Sequence, residues 1–381
     1  MEFALSDEQR LIAESAARFV ADRYDFETRR RLAGGEEGFA RENWRQFAEL
    51  GWLALPFPEE LGGLGGTAVE VMLLMEAFGR GLVLEPYLPA ILLAGRAIAE
   101  TAPREEATAL LAPLLAGERI YALAAEEADS RGDLSAIVTT ARRVTDGHVL
   151  AGRKAVVLAA PTADTFVVLA RLEGEEGGEG LQLFLVPRES PGVTVVGYRT
   201  TDGGRAGELV LDDVAVPASA ALGEPGRPTE AALERVREEA ALAITAEILG
   251  LATAAFAATR QYLTTRHQFG RPLAAFQVLQ HRLADMLIAT EELRSIVAAA
   301  TMRHVAAPMT AEARKLTAAA VVKALEAGQF VTAQAVQLHG GMGVSEELNI
   351  GTYFKHFHAL KALLGDDHHA LDRIALTAHA A

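Results

Sequence analysis

Tyr262-Leu-Thr-Thr-Arg266-His-Gln268-Phe269-Gly270-Arg-Pro272-Leu-Ala-Ala-Phe276-Gln277 interrupts two long helical patterns. Gly270 and Pro272 punctuate the first helix. From Phe276 onward Leu279, Leu283, Met286 and Leu287 recur at helical spacing, which predicts one buried face of a second long helix. Outward from this turn the periodicity predicts four helices, over 229–264, 276–306, 311–338 and 346–363, and helices of that length in series suggest a bundle.

Upstream the pattern is different. Between Ile120 and Val214, short β-rich runs at 137–140, 149–157, 166–169, 181–186, 193–196 and 209–214 alternate with turn residues. Asp146-Gly147 and Asp202-Gly203 mark turns of a compact antiparallel unit, and an acidic Gly/Glu hairpin loop spans 173–180. The first third is helical again. Ser6-Asp7-Glu8-Gln9 has the form of a capping box ahead of the apolar set Leu11, Ile12, Ala16, Phe19 and Val20. Further helices are predicted over 43–50, 68–79 and 103–115, with Gly/Pro stretches such as 56–66 between them.

A chain of 381 residues exceeds one ordinary core, so two or three domains are expected. With half its residues apolar and 23% charged, it has a globular balance. The absence of cysteine excludes disulfides, thiolate metal sites and thiol nucleophiles. A formal charge of -15 argues against a nucleic-acid partner. No apolar run of about 18 residues is evident, so no membrane span is expected. Glu2, Asp7 and Glu8 stand where a signal peptide would be basic, and the expected compartment is the cytoplasm.

The opening stretch and a second one, Gln337-Leu-His-Gly340-Gly341-Met-Gly343-Val-Ser-Glu346, resemble the two signature stretches of the acyl-CoA dehydrogenase superfamily, in its order and approximate spacing. The resemblance covers essentially the whole chain. It implies an α+β fold with an N-terminal helical domain (1–118), a central β-barrel domain (119–226) and a C-terminal four-helix bundle (227–381). It also implies FAD, held by Arg266, Gln268, Phe269, Gln337, Gly340 and Gly341 reaching across a subunit interface to a neighbour's cofactor. At least a dimer follows. The residue types agree: Arg266 offers a planar fork of donors to a pyrophosphate, and Gly340-Gly341 lets backbone approach without a Cβ in the way.

Two stretches depart from the superfamily pattern. Where the family has Leu-Thr-Glu-Pro and a Gly-Ser-Asp turn, this chain has Leu123-Ala-Ala-Glu126-Glu-Ala-Asp-Ser-Arg131-Gly-Asp133. Where it has Trp-Ile-Thr after the strand lysine, Val156-Val157-Leu158 follows Lys154. Flavin contacts from Leu123 and Leu158 are therefore expected through backbone. The family's late catalytic glutamate is absent as well, since Leu364-Gly365-Asp366 occupies its place. The Gly-Asp-Asp-His-His ending resembles the small subunit of pimeloyl-CoA dehydrogenase, a type that works beside a large subunit.

The base is then expected on the first bundle helix, with Glu238, Glu239 and Glu247 as candidates. Glu238 and Glu239 follow charged neighbours and read as a solvated face. Glu247 stands alone between 241–246 and 248–257, the apolar isolation that suits a proton acceptor poised near neutrality; the plainer reading is a buried glutamate bonded to a neighbouring helix. Asp366, Asp367, His368 and His369 are adjacent in sequence and diverge in space, so no metal is expected there. His339 reads as a packed or capping histidine.

The expected reaction is FAD-dependent dehydrogenation of an acyl-CoA thioester to the trans-2-enoyl-CoA. A carboxylate takes the α-proton and the β-hydride goes to flavin N5. Expected partners are the acyl-CoA substrate, an electron-transfer flavoprotein, and either a homodimer or homotetramer or a heterotetramer with a related subunit. A flavin oxidase or monooxygenase on the same scaffold, or a catalytically silent, weakly FAD-binding subunit, are the alternatives.

Overall fold

The computed structural model describes residues 5–130, 132–173, 180–223, 229–365 and 371. Among the described residues six α-helices come first: α1 (Asp7–Arg23), α2 (Phe26–Gly34), α3 (Arg41–Glu49), α4 (Ala68–Gly81), α5 (Arg96–Thr101) and α6 (Arg104–Leu115). The predicted capping box opens α1: Ser6 Oγ accepts from the Gln9 amide at 3.1 Å and Gln9 Oε1 from the Ser6 amide at 3.0 Å. Three helical segments lie outside those predicted: α2, α5 and a π-helix over Tyr87–Gly95, the last almost entirely apolar and mostly buried, so no polar face betrays its period.

An eight-stranded sheet follows: β1 (Tyr121–Ala124), β2 (Thr140–Val144), β3 (Gly147–Leu158), β4 (Thr165–Glu173), β5 (Leu181–Pro187), β6 (Val193–Arg199), β7 (Arg205–Pro217) and β8 (Ala221–Leu222). Its order is β6-β7-β3-β2-β4-β5-β8, with β1 also on β4. The hairpins β2/β3 and β6/β7 turn where Asp146 and Asp202 predict. The sheet is not wholly antiparallel, as the turns suggest. β1 pairs parallel with the start of β4 and β2 parallel with its end, while β5 takes the other edge. So β1 and β2 lie end to end along β4, and residues 125–139 form the excursion between them. For the same reason Ile137–Thr139 precede the strand that begins at Thr140. Phe166, Val168, Phe184, Leu150 and Leu209 fill the sheet's core.

Among the described residues four long helices follow: α7 (Thr229–Thr265), α8 (Gln277–Ala306), α9 (Ala311–His339) and α10 (Ile350–Leu364). Between α7 and α8 stands a two-strand hairpin, β9 (His267–Gln268) and β10 (Arg271–Pro272). By length and composition α7 is apolar enough to cross a membrane, but 78% of its most apolar window is buried inside the protein, the signature of a core helix. The predicted buried face of α8 needs correction. Met286 is buried, Phe276, Leu279 and Leu283 are only half-buried, and Leu287 is 44% exposed beside exposed Val278 and Ile288. Within one chain, the first half of this helix is not covered.

The chain divides into two compact units. One comprises Met1–Arg31, Thr67–Val83 and Ala241–Ala381; the other comprises Leu32–Gly66 and Leu84–Ala240.

Candidate active site

Two glycines place Glu247 in the first of these units. At the crossing of α4 and α7 the backbones touch: a Cβ on Gly79 would lie 2.0 Å from the Glu247 carbonyl oxygen, and one on Gly250 would lie 1.9 Å from that of Glu76. Only glycine allows this approach. On the next helix face Gly328 of α9 admits the Phe357 ring and Ile248. The carboxylate that emerges from this contact is buried, and its Oε1 lies 2.8 Å from Nε2 of buried His356 on α10.

Glu247 is thus not isolated, as its apolar run suggests; a cationisable neighbour comes from 109 residues away. The sequence carries a signal for it. Tyr353, His356, Phe357 and Leu360 form the buried stripe of α10 at i, i+3, i+4 and i+7, and a histidine on such a stripe asks for a partner. The arginines nearby are committed elsewhere: Arg80 and Arg294 both bind Glu76.

The other two candidate carboxylates are not a solvated face. Glu238 is 1% exposed, and Arg96 grips Glu239 with two nitrogens, at 2.8 and 3.0 Å. Such a bidentate pair occupies both Glu239 oxygens.

The two signature stretches meet in the same unit as Glu247. Tyr262, one turn before the end of α7, stacks on His339 at the end of α9, with ring centroids 4.3 Å apart and 24° between planes. His339 is packed, as expected: buried, with Nδ1 2.8 Å from the Ala335 carbonyl. Burial pushes its imidazole below the ordinary value, against the opposing pull of that carbonyl.

The residues of these two stretches expected to hold FAD are exposed, Arg266, Gln268, Gln337, Gly340 and Gly341 among them. Phe269 and Gly270 form the hairpin tip, both at positive φ, which is strained for a phenylalanine, and Phe269 is 86% exposed. The Gly340 amide caps α9 on the Gln337 carbonyl at φ +60. A Cβ at Gly270, Gly340 or Gly341 would meet nothing within 4 Å. The Arg266 guanidinium, the Gln268 and Gln337 side-chain amides and the bare backbone at Gly340 and Gly341 are exposed donors of a kind that suits the pyrophosphate of an FAD.

Leu123 and Leu158 belong to the other unit, half-buried in β1 and at the end of β3. The 125–139 excursion is clamped from inside. Glu127 accepts from Lys154 Nζ at 2.7 Å, Thr139 Oγ1 at 2.5 Å and the amides of Val138 and Thr139 at 2.9 Å each. Burial raises its carboxyl pKa, but Lys154, Thr139 and the backbone donors together hold it below the usual range. Lys154 itself is fully buried. Beside it β3 bulges, and Val156 takes a positive φ while 53% exposed, an uncommon state for a β-branched residue. Arg237 of α7 ties the excursion's start to its helix through Glu126 Oε1 at 2.7 Å.

Asp366, Asp367, His368, His369, Arg131 and most of the acidic loop lie outside the described residues.

Comparison with known proteins agrees along the chain. The acyl-CoA dehydrogenase N-terminal domain family matches residues 6–118, the middle domain 122–214 and the C-terminal domain 229–378. A short-chain specific acyl-CoA dehydrogenase of Clostridium acetobutylicum is 31% identical over 356 residues, covering 91% of this chain and 91% of the relative. Among solved structures, a chain of the ChsE4–ChsE5 complex from Mycobacterium tuberculosis matches with a TM-score of 0.88 at 29% identity over 100% of both chains. Butyryl-CoA dehydrogenase from Megasphaera elsdenii matches at 0.87 and 26% identity, over 98% of this chain and 99% of that one.

Proposed function

This chain belongs to the acyl-CoA dehydrogenase family, and we propose that Glu247 is the base with which it carries out that family's reaction. The protein is an FAD-dependent oxidoreductase that dehydrogenates acyl-CoA thioesters. Bound FAD supplies the hydride acceptor. One observation carries the assignment of the proton acceptor. Glu247 is a buried carboxylate whose backbone is fixed at a glycine crossing and one of whose oxygens is held by His356; its other oxygen has no hydrogen-bond partner among the described residues. A carboxylate so placed can take a proton at Oε2 without leaving its rotamer, which is what general-base catalysis needs. Glu239 is disfavoured because Arg96 occupies it.

Arg266, Gln268, Phe269, Gln337, Gly340 and Gly341 are the residues we assign to FAD, with backbone at Leu123 and Leu158 as a second set. Their exposure and the uncovered half of α8 support delivery of the first set to a second copy or a related subunit. The ChsE4–ChsE5 relative, described as a complex, supports a heteromeric form. Domain boundaries near 118 and 226, a small-subunit subtype, a cytoplasmic location and an electron-transfer flavoprotein as acceptor belong to the same reading.

The test is anaerobic addition of butyryl-, octanoyl- and palmitoyl-CoA to the yellow protein, co-expressed with any related subunit. At least one thioester bleaches the flavin and yields the corresponding trans-2-enoyl-CoA. A flavin that stays oxidised with all three thioesters but turns over with a nitroalkane and oxygen would favour the oxidase alternative.

A further inference from the structure

We infer that His356 is a positioning residue for Glu247: its Nε2–H holds Oε1 so that Oε2 is presented as the proton acceptor. The inference rests on Glu247 as the base. An ionised carboxylate only accepts hydrogen bonds, so a 2.8 Å contact to it assigns the proton to Nε2. Burial of both side chains removes competing water. The groups around them leave no substitute. Arg80 of α4 and Arg294 of α8 are bound to Glu76, and the Tyr353 hydroxyl donates to the Arg80 carbonyl at 3.1 Å. Among the described residues, His356 is the one hydrogen-bond donor to the Glu247 side chain.

The geometry separates the two carboxylate oxygens by task. When the α-C–H bond breaks, Oε2 takes its proton and the bond's electron pair enters the new double bond; FAD, when bound, would supply the acceptor for the β-hydrogen as hydride. Oε1 keeps its bond to Nε2–H throughout, so the base neither rotates nor loses its orientation between turnovers. Without that bond, the Glu247 side chain samples several rotamers and a smaller fraction of them reaches the substrate.

Side-chain shapes provide the test. The amide nitrogen of glutamine sits where histidine carries Nε2, whereas that of asparagine sits where histidine carries Nδ1. His356→Gln should therefore reduce flavin within about threefold of the wild-type rate. His356→Asn and His356→Leu should slow it by about ten- to a hundredfold, with FAD content and the substrate concentration for half-saturation unchanged. In a Glu247→Gln background none of the three should slow the residual rate further. Independently of turnover, the Nε2 resonance of His356 in 15N-histidine-labelled protein should move on Glu247→Gln, reporting replacement of the ionised acceptor by a neutral one.

Equal rates for the Gln, Asn and Leu variants, with Glu247→Gln inactive, would overturn this inference and leave the base in place. Loss of FAD in all three variants, or an unmoved Nε2 resonance, would reduce His356 to a structural residue. Glu247→Gln at the wild-type rate would overturn the base assignment and this inference together.

Discussion

Gly79→Ala adds one methyl group where the structure has no room for it. That carbon would stand 2.0 Å from the Glu247 carbonyl oxygen and 2.8 Å from its carbon. Ordinary contacts of this type open to at least about 3.2 Å, so α4 and α7 must part by roughly 1 Å. The obstacle is backbone, which cannot rotate aside. Overpacking of this sort costs about 1–3 kcal/mol, here at the upper end, and the better helix propensity of alanine returns up to about 1 kcal/mol. A net loss of about 2 kcal/mol lowers the unfolding midpoint of a unit of this size by roughly 4–8 °C at fixed FAD concentration. Because the displaced backbone is that of Glu247, flavin reduction by acyl-CoA should fall by more than about tenfold, as an ångström of misplacement can cost a hundredfold. Gly250→Ala, 1.9 Å from the Glu76 carbonyl oxygen, should behave alike. Gly180→Ala, with nothing within 4 Å, is the control. Thermal scans and anaerobic stopped-flow measure both effects; a Gly79→Ala protein with unchanged midpoint and rate would refute the tight crossing and its role in placing the carboxylate.

Arg266→Ala removes a charge-assisted fork from the exposed stretch and should weaken FAD binding by roughly 30- to 1,000-fold, with lysine restoring only part; equilibrium dialysis against FAD measures it. Lys154→Met leaves the Glu127 carboxylate buried without its cation, and should cost about 3–5 kcal/mol in denaturant titration. In the wild type, Glu127 has its folded pKa depressed below the unfolded 4.5. Its stabilisation is therefore complete above that value and is lost as the pH falls through the depressed one. Acid titration of stability should show this component, and Glu127→Gln should remove it.

The fold was legible because its periods change sharply. A 3.6-residue apolar repeat marks α1, α3, α4 and α6, a twofold one runs through the sheet, and the helical repeat returns from α7. What escaped has physical causes. The π-helix at Tyr87–Gly95 is almost wholly apolar, so periodicity has nothing to act on. The end-to-end seating of β1 and β2 on β4 depends on pairings that no local pattern specifies. In α8 the stripe Phe276, Leu279, Leu283 and Leu287 marks apolarity correctly, yet apolarity says a face needs cover and not that this chain provides it.

At the candidate site, Glu247 stood out as a lone carboxylate in an apolar run, but its partner His356 belongs to another helix and was visible only as a histidine on a buried stripe. Glu238 and Glu239 misled because neighbouring charges suggested solvent; Arg96, more than a hundred residues earlier, supplies the cation instead. Nothing in the sequence around Gly79 and Gly250 points to a close approach, and only the crossing reveals why alanine does not serve there.

The central claim is that Glu247 accepts the α-proton, and single-turnover flavin reduction in a Glu247→Gln protein tests it most directly. Glutamine keeps the size of the side chain and a group able to bond His356, so FAD content and the unfolding midpoint should stay near wild type. Anaerobic mixing with the best acyl-CoA substrate should then reduce the flavin at least about a hundredfold more slowly. Wild-type reduction kinetics in a fully FAD-loaded Glu247→Gln protein would contradict the account and move the base to another carboxylate.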